Sequence, residues 1–175
     1  MINIAVTNLA AYNEGRLIYK WLALPADENT IREAYKSIGC DLDDENAPES
    51  FISDYETTDE AAELNLSVGE YENVWELNDL AEWIAVLNSH EMAELIAYTE
   101  AYGDRREDIE DALDSLDNMT FYEGYNMEDL AEELVEEGVF GDIPESIACY
   151  IDYEAIARDL SFDYTETSKG VICCA

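Results

Sequence analysis

Asp and Glu number 43 among the 175 residues, against eight Lys and Arg, one histidine and four cysteines. Chemistry here would have to be carried by carboxylates. Paired carboxylates can act as general acid and base, but in a chain this rich in them some pair falls at glycosidase separation in any fold, so the pattern gives that reaction no support. The single histidine, His90, follows a helix-capping position and has neither a cysteine nor an HExxH partner, so it reads as a surface or capping residue. The chain contains no GxSxG elbow, no GxGxxG turn and no phosphate loop. The sequence therefore points away from an enzyme, and no cofactor is expected.

Calcium is the other use for clustered oxygens. Asp41, Asp43 and Glu45 occupy positions 1, 3 and 5 of a candidate loop, but position 6 is Asn46 in place of glycine and position 12 is Ile52 in place of a bidentate glutamate. The pattern fails at its two most constrained places, which leaves diffuse counterion binding and no dedicated metal site. Cys40, Cys149, Cys173 and Cys174 form no CxxC pair and read as reduced thiols. The apolar run Ile2 to Val6 has no basic leader and is too short for a signal peptide or a membrane span, so a soluble cytoplasmic protein that does not engage membranes is expected.

The net charge of -35 far exceeds the magnitude of about 2 to 8 that keeps a small domain soluble. It is also unevenly spread. From Ser37 to Asp104 there are nineteen carboxylates and no Lys or Arg, and from Glu107 to Glu154 seventeen more, again without a cation. Disorder fits poorly, because the chain holds twelve Tyr and three Trp among 48% hydrophobic residues. Adaptation to molar salt is a competing account, testable by whether folding requires it.

These carboxylates must be positioned by regular elements. Ile2, Ile4 and Val6 alternate as a strand, and Leu17 to Leu24 forms a second β-rich run after the turn at Tyr12-Asn13-Glu14-Gly15. Asp27 or Thr30 can cap a helix through Ile31, Ala34, Tyr35 and Ile38. Phe51, Ile52 and Tyr55 suggest a third strand. Ser67-Val68-Gly69-Glu70 has the form of a capping box opening a helix to Leu87, with Asn78 a candidate break, and Ser89 can cap the next helix, which stops at Gly103. A helix from Glu107 to Leu116 and a strand from Met119 to Tyr122 come next. A helix around Ile147, Ile151 and Ile156, in which Glu154 and Arg158 can pair, precedes a terminal hairpin. The expected fold is α+β in three small domains: a β-rich unit over 1–61, a helical unit over 62–103 and a mixed unit over 104–175.

The clearest helix carries the clearest acidic face. Met127, Leu130, Ala131, Leu134 and Val135 recur at helical spacing between Asn126 and Gly138. Glu128, Glu132 and Glu136 make one row on the other side, and Asp129, Glu133 and Glu137 a second. The four like-charge pairs at i, i+4 cost the helix on the order of 1 to 2 kcal/mol. Lysines at alternate positions would have turned that cost into a gain. A face of carboxylates spaced about 5 to 6 Å apart can engage Lys and Arg arranged for phosphates, and 35 net charges match roughly 60 Å of duplex DNA. The candidate phosphate-mimicking residues are Glu70, Glu72, Glu76, Asp79, Glu82, Glu91, Glu94, Asp108, Glu110, Asp111 and Asp114, together with both rows. The partner implied is a protein groove that binds DNA, and nucleic acid itself is excluded by sign. A broader acidic decoy, sequestering another basic DNA-binding protein or a nuclease, remains the alternative.

The chain also resembles the ArdA antirestriction proteins. Asn8-Leu9, Tyr12-Asn13-Glu14-Gly15, Leu17, Trp21 and Pro25 are similar to the family's opening motif. Met127-Glu128-Asp129-Leu130-Ala131, Gly138, Ile143-Pro144-Glu145, Tyr150-Ile151-Asp152-Tyr153-Glu154 and Ala157-Arg158-Asp159-Leu160 are similar to its C-terminal antirestriction region. Tyr19 stands where the family pattern has glycine, and the cysteine-rich end departs from the usual terminal strand. The resemblance implies an elongated, curved, three-domain protein that dimerises through its C-terminal domain and mimics bent DNA. It implies occupation of the DNA-binding site of Type I restriction-modification enzymes, blocking restriction and often methylation, and carriage on a phage or mobile element in a bacterial cytoplasm.

Overall fold

The structure is a computed structural model that describes residues 1–64, 66–103 and 106–173, with all of their side chains except those at 59, 60, 106, 107 and 117. Asp104 and Cys174 therefore lie outside the described residues. The fold is α+β, with eight α-helices and two three-stranded antiparallel sheets among them. The chain divides into two compact units, Met1–Leu87 and Asn88–Gly103 with Glu107–Ala175.

In the first unit the alternating N-terminal run forms the central strand β1 (Ile2–Asn8), flanked by β2 (Tyr19–Leu24) and β3 (Ser50–Thr57) in the order β2-β1-β3. Ile2, Ile4 and Val6 point to the core with Leu22 and Leu24, while Ala5 pairs with both Trp21 and Asp54. A bulge between Ala5 and Val6 shifts the β3 register by one residue. The first connection contains a short helix, α1 (Leu9–Asn13). It is capped by Asn8, whose side chain accepts from the Ala11 N–H at 2.8 Å and donates to the Ile38 carbonyl at 2.9 Å. Of the two candidate caps, Asp27 and not Thr30 caps α2 (Glu28–Ser37), and hydrogen bonds from Thr30, its hydroxyl first, hold the Asp27 carboxyl below the usual range.

The next helix departs from expectation. α3 spans Val74–Val86, capped by Asn73, so the Ser67–Glu70 capping box does not form. Leu66 and Val68 are buried and Ile52 donates its N–H to the Glu70 carbonyl at 2.7 Å, which straps this segment in extended form beside β3. Asn78 does not break the helix either. It is buried in α3, where its side chain accepts from the Ala26 N–H at 2.8 Å and donates to Glu82 at 3.1 Å.

The second unit holds α4 (Ser89–Tyr102), α5 (Arg106–Ser115), β4 (Thr120–Glu123), α6 (Met127–Glu136), α7 (Glu145–Ala148), α8 (Tyr153–Leu160), β5 (Thr165–Glu166) and β6 (Gly170–Cys173), its sheet ordered β4-β6-β5. Asn88, not Ser89, caps α4 in a reciprocal box with Glu91. The helix expected around Ile147 to Ile156 is two helices, because Asp152 leaves the α7 path and caps α8 by accepting from the Ala155 N–H. Among the described ion pairs Glu154–Arg158 is absent, a further correction. Leu130 and Leu134 of α6 pack on Val171 of β6, ringed by Tyr122, Tyr125, Met127, Leu160 and Tyr164. At Gly170 a Cβ would lie 2.2 Å from the Tyr122 carbonyl oxygen, so only glycine lets β4 and β6 close.

α6 owes its start to Asn126, whose side chain accepts from Glu128 and Asp129 N–H groups while Asp129 accepts from the Asn126 N–H. Asn126→Ala is expected to lower stability by about 1 kcal/mol, read as a fall in urea midpoint with unchanged m-value.

Candidate anionic interface

α6 buries Leu130, Ala131 and Leu134 and turns its carboxylates outward. Glu128, Asp129, Glu132, Glu136 and Glu137 are exposed, whereas Glu133 is half-buried and accepts from the Tyr125 hydroxyl at 3.3 Å. The last turn carries no basic residue. Asp129, Glu132, Glu133 and Glu136 join Glu123, Gly124 and Tyr125 around an open concavity of about 350 Å³. The charge of Glu133, with some burial, pushes the Tyr125 phenol above its ordinary pKa. A concave surface lined almost wholly by carboxylates suits the protruding cation of a protein side chain, whose desolvation the surrounding negative charge offsets.

The other candidate residues are distributed over both units. On and before α3, Glu70, Glu76, Asp79 and Glu82 are exposed and Glu72 is half-buried, its Oε1 accepting from the Gly69 N–H at 2.9 Å. Glu82 borders a cleft of about 410 Å³ that also includes Asp27, Glu28, Trp75 and Arg32. Arg32 is held there by Glu28 and Asp43, and its guanidinium lies 5.5 Å from the Trp75 ring centre. On α5, Asp111 and Asp114 are exposed and Asp108 and Glu110 half-buried. On α4, Glu91 serves the capping box and Glu94 is buried at 6% exposure, so Glu94 does not present its carboxylate to a partner. Among the described candidate residues, four of the six carboxylates in the α6 rows meet around one concavity, joined there by Glu123.

Two contributions escaped sequence reasoning. Glu123 enters the α6 concavity from β4 because the turn at Gly124, with φ of 77°, swings the strand end toward the helix. The same Glu123 places Oε2 2.6 Å from His90 Nδ1. His90 is exposed, as expected, yet Glu123 makes it more than a bystander. The hydrogen bond to Glu123, reinforced by its charge and those of Glu94 and Glu91, raises the imidazole pKa above its ordinary 6.5. Because the folded value is raised, the pair's contribution to stability is fully present below about pH 6.5 and is lost as pH rises through the folded value. A proton NMR titration should place the His90 midpoint above 6.5, and Glu123→Gln should return it toward 6.5.

The acidic loop that begins at Asp41 is tied down by cations of the protein itself: Asp43 binds Arg32, and Asp41 lies 3.6 Å from Lys36 Nζ. Among the described residues no group of three or more His, Cys, Asp or Glu could hold a metal ion, and no helix is long and apolar enough to cross a membrane. Cys40, Cys149 and Cys173 are free thiols, and burial raises the pKa of Cys40.

No individual curated protein matches the chain. The family model described as antirestriction protein (ArdA) matches residues 4–173. With that match spanning nearly the whole sequence, the chain belongs to the ArdA antirestriction family.

Proposed function

We propose that this antirestriction protein acts as a DNA mimic, occupying the DNA-binding groove of a Type I restriction-modification enzyme and thereby blocking restriction and, through the same groove, methylation. The observation that carries this reading is the exposed carboxylate face of α6, a helix with no Lys or Arg of its own, although Arg158 of α8 borders the same concavity as Glu128 at its start. The protein is an inhibitor without catalysis of its own, acting in a bacterial cytoplasm on behalf of a phage or mobile element. Large exposed apolar side chains in the second unit, Val139, Phe140, Ile147, Tyr150 and Phe162, support association of two copies through that unit.

In an electrophoretic competition assay, excess protein should displace DNA from the purified enzyme. The displacement should weaken steeply with added salt, since both charged surfaces bind counterions that association releases. Failure to displace DNA at any excess in low salt would end this reading. Capture of a different basic DNA-binding protein from host lysate, with the restriction enzyme left behind, would favour the broader decoy function.

A further inference from the structure

The first sheet has two faces: one carries Ile2, Ile4 and Val6 into the core, and on the other the central-strand residues Ala5 and Thr7 are buried at 2% and 0% exposure while Trp21, Tyr19 and Asp54 on the flanking strands stay exposed. Cross-strand partners in an antiparallel sheet project to the same side. Trp21, Ala5 and Asp54 therefore form one row across β2-β1-β3, and Tyr19, Thr7 and Phe51 the next, on the side away from Ile2, Ile4 and Val6. Trp21 remains 41% exposed and Tyr19 48%, while Tyr12 packs edge-on against Phe51 at 5.2 Å. Lys20 pairs with Val6 and so belongs to the opposite face. No Lys or Arg stands in these rows. The outer face is thus an aromatic edge on β2 facing a carboxylate on β3 across the small Ala5. Trp21 and Asp54 stand two strand spacings apart, about 10 Å.

We propose that this outer sheet face docks an arginine-bearing protein surface, with the guanidinium lying against Trp21 and Tyr19 and hydrogen-bonding to Asp54. The choice of arginine follows from the chemistry. Its flat, weakly hydrated cation stacks on aromatic rings and bonds a carboxylate with its edge at the same time, which a lysine ammonium cannot do. A purely apolar partner would bury Asp54 without compensation, and a nucleic acid would be repelled by the charge of the chain. This surface differs from the α6 concavity, where five carboxylates surround one tyrosine, Tyr125, whose hydroxyl is tied to Glu133. The inference rests on the proposed function only in sharing a basic partner.

The test is a titration of the full-length ¹⁵N-labelled protein with hexa-arginine and with hexa-lysine, without any restriction enzyme, the Trp21 indole resonance being assigned by its loss in Trp21→Phe. Hexa-arginine should shift that resonance and bind more tightly than hexa-lysine. The Tyr19→Ala/Trp21→Ala variant should lose about two- to fivefold in affinity for hexa-arginine while keeping its affinity for hexa-lysine, and Trp21→Phe should retain most of the preference. An indole that stays unmoved at saturating hexa-arginine, or a preference that survives in the double variant, would overturn the proposal. So would a sedimentation experiment in which the double variant loses self-association, because the face would then belong to a second copy. The peptide result is independent of DNA displacement from the enzyme, so either reading can fail without the other.

Discussion

Replacing Glu128, Glu132, Glu136 and Glu137 together by glutamine should weaken inhibition of the restriction enzyme about 30-fold and, in the same protein, raise its stability by about 1 kcal/mol. The first figure takes about 0.5 kcal/mol for each exposed ion pair lost to the target. The second follows from removing like-charge neighbours at i, i+4 along α6. Asp129 and Glu133 are left in place because one completes the cap and the other accepts the Tyr125 hydroxyl. A single Glu132→Gln should change inhibition only about twofold, since each charge is a small, screened share of the field. Competition assays and urea melts read the two quantities separately. Opposite signs identify residues retained for binding at the expense of the fold. A variant that loses both stability and inhibition would mean that the face is structural.

Substituting Tyr150 and Phe162 together by aspartate should raise the dissociation constant of the proposed dimer at least a hundredfold, read by size-exclusion chromatography with light scattering. Tyr150 is 81% and Phe162 85% exposed within one copy, so neither supports the core of its own unit. Burying an aromatic side chain at an interface is worth about 1.5 to 3 kcal/mol, and two lost together account for the change before the introduced charges repel. Unchanged circular dichroism should accompany dissociation. A dimer that persists at micromolar concentration would exclude these side chains from the interface.

What could be read from sequence was what depends on near neighbours. α6 announced itself because its periodicity, its Asn126 cap and its acidic rows all lie within twelve residues. The head of α2 was legible for the same reason, to within two candidate caps, Asp27 and Thr30, of which Asp27 serves. The start of α3 was not, because Ser67 and Glu70 satisfy a local rule that is overridden by the burial of Leu66 and Val68 and by the bond from Ile52. Glu94 looked like its exposed neighbours, but α4 is buried around most of its circumference, from Met92 through Ala97 and at Thr99, and no periodic stripe marks which carboxylate turns inward. Glu123 reached the α6 face, and Asp54 the row of Trp21, through strand pairing and a bulge, which are facts of register that a single chain does not display.

The missing basic residue in the last turn of α6 has a further effect. Helix ends ordinarily attract a cation to their unpaired carbonyls, and α3, α4 and α5 lack one there as well. The peptide dipoles of α6 therefore deliver about half a negative charge beside Glu136 and Glu137 that no side-chain substitution can remove. Part of the anionic potential is written into the backbone, so a glutamine-substituted helix still presents a negative pole to its target.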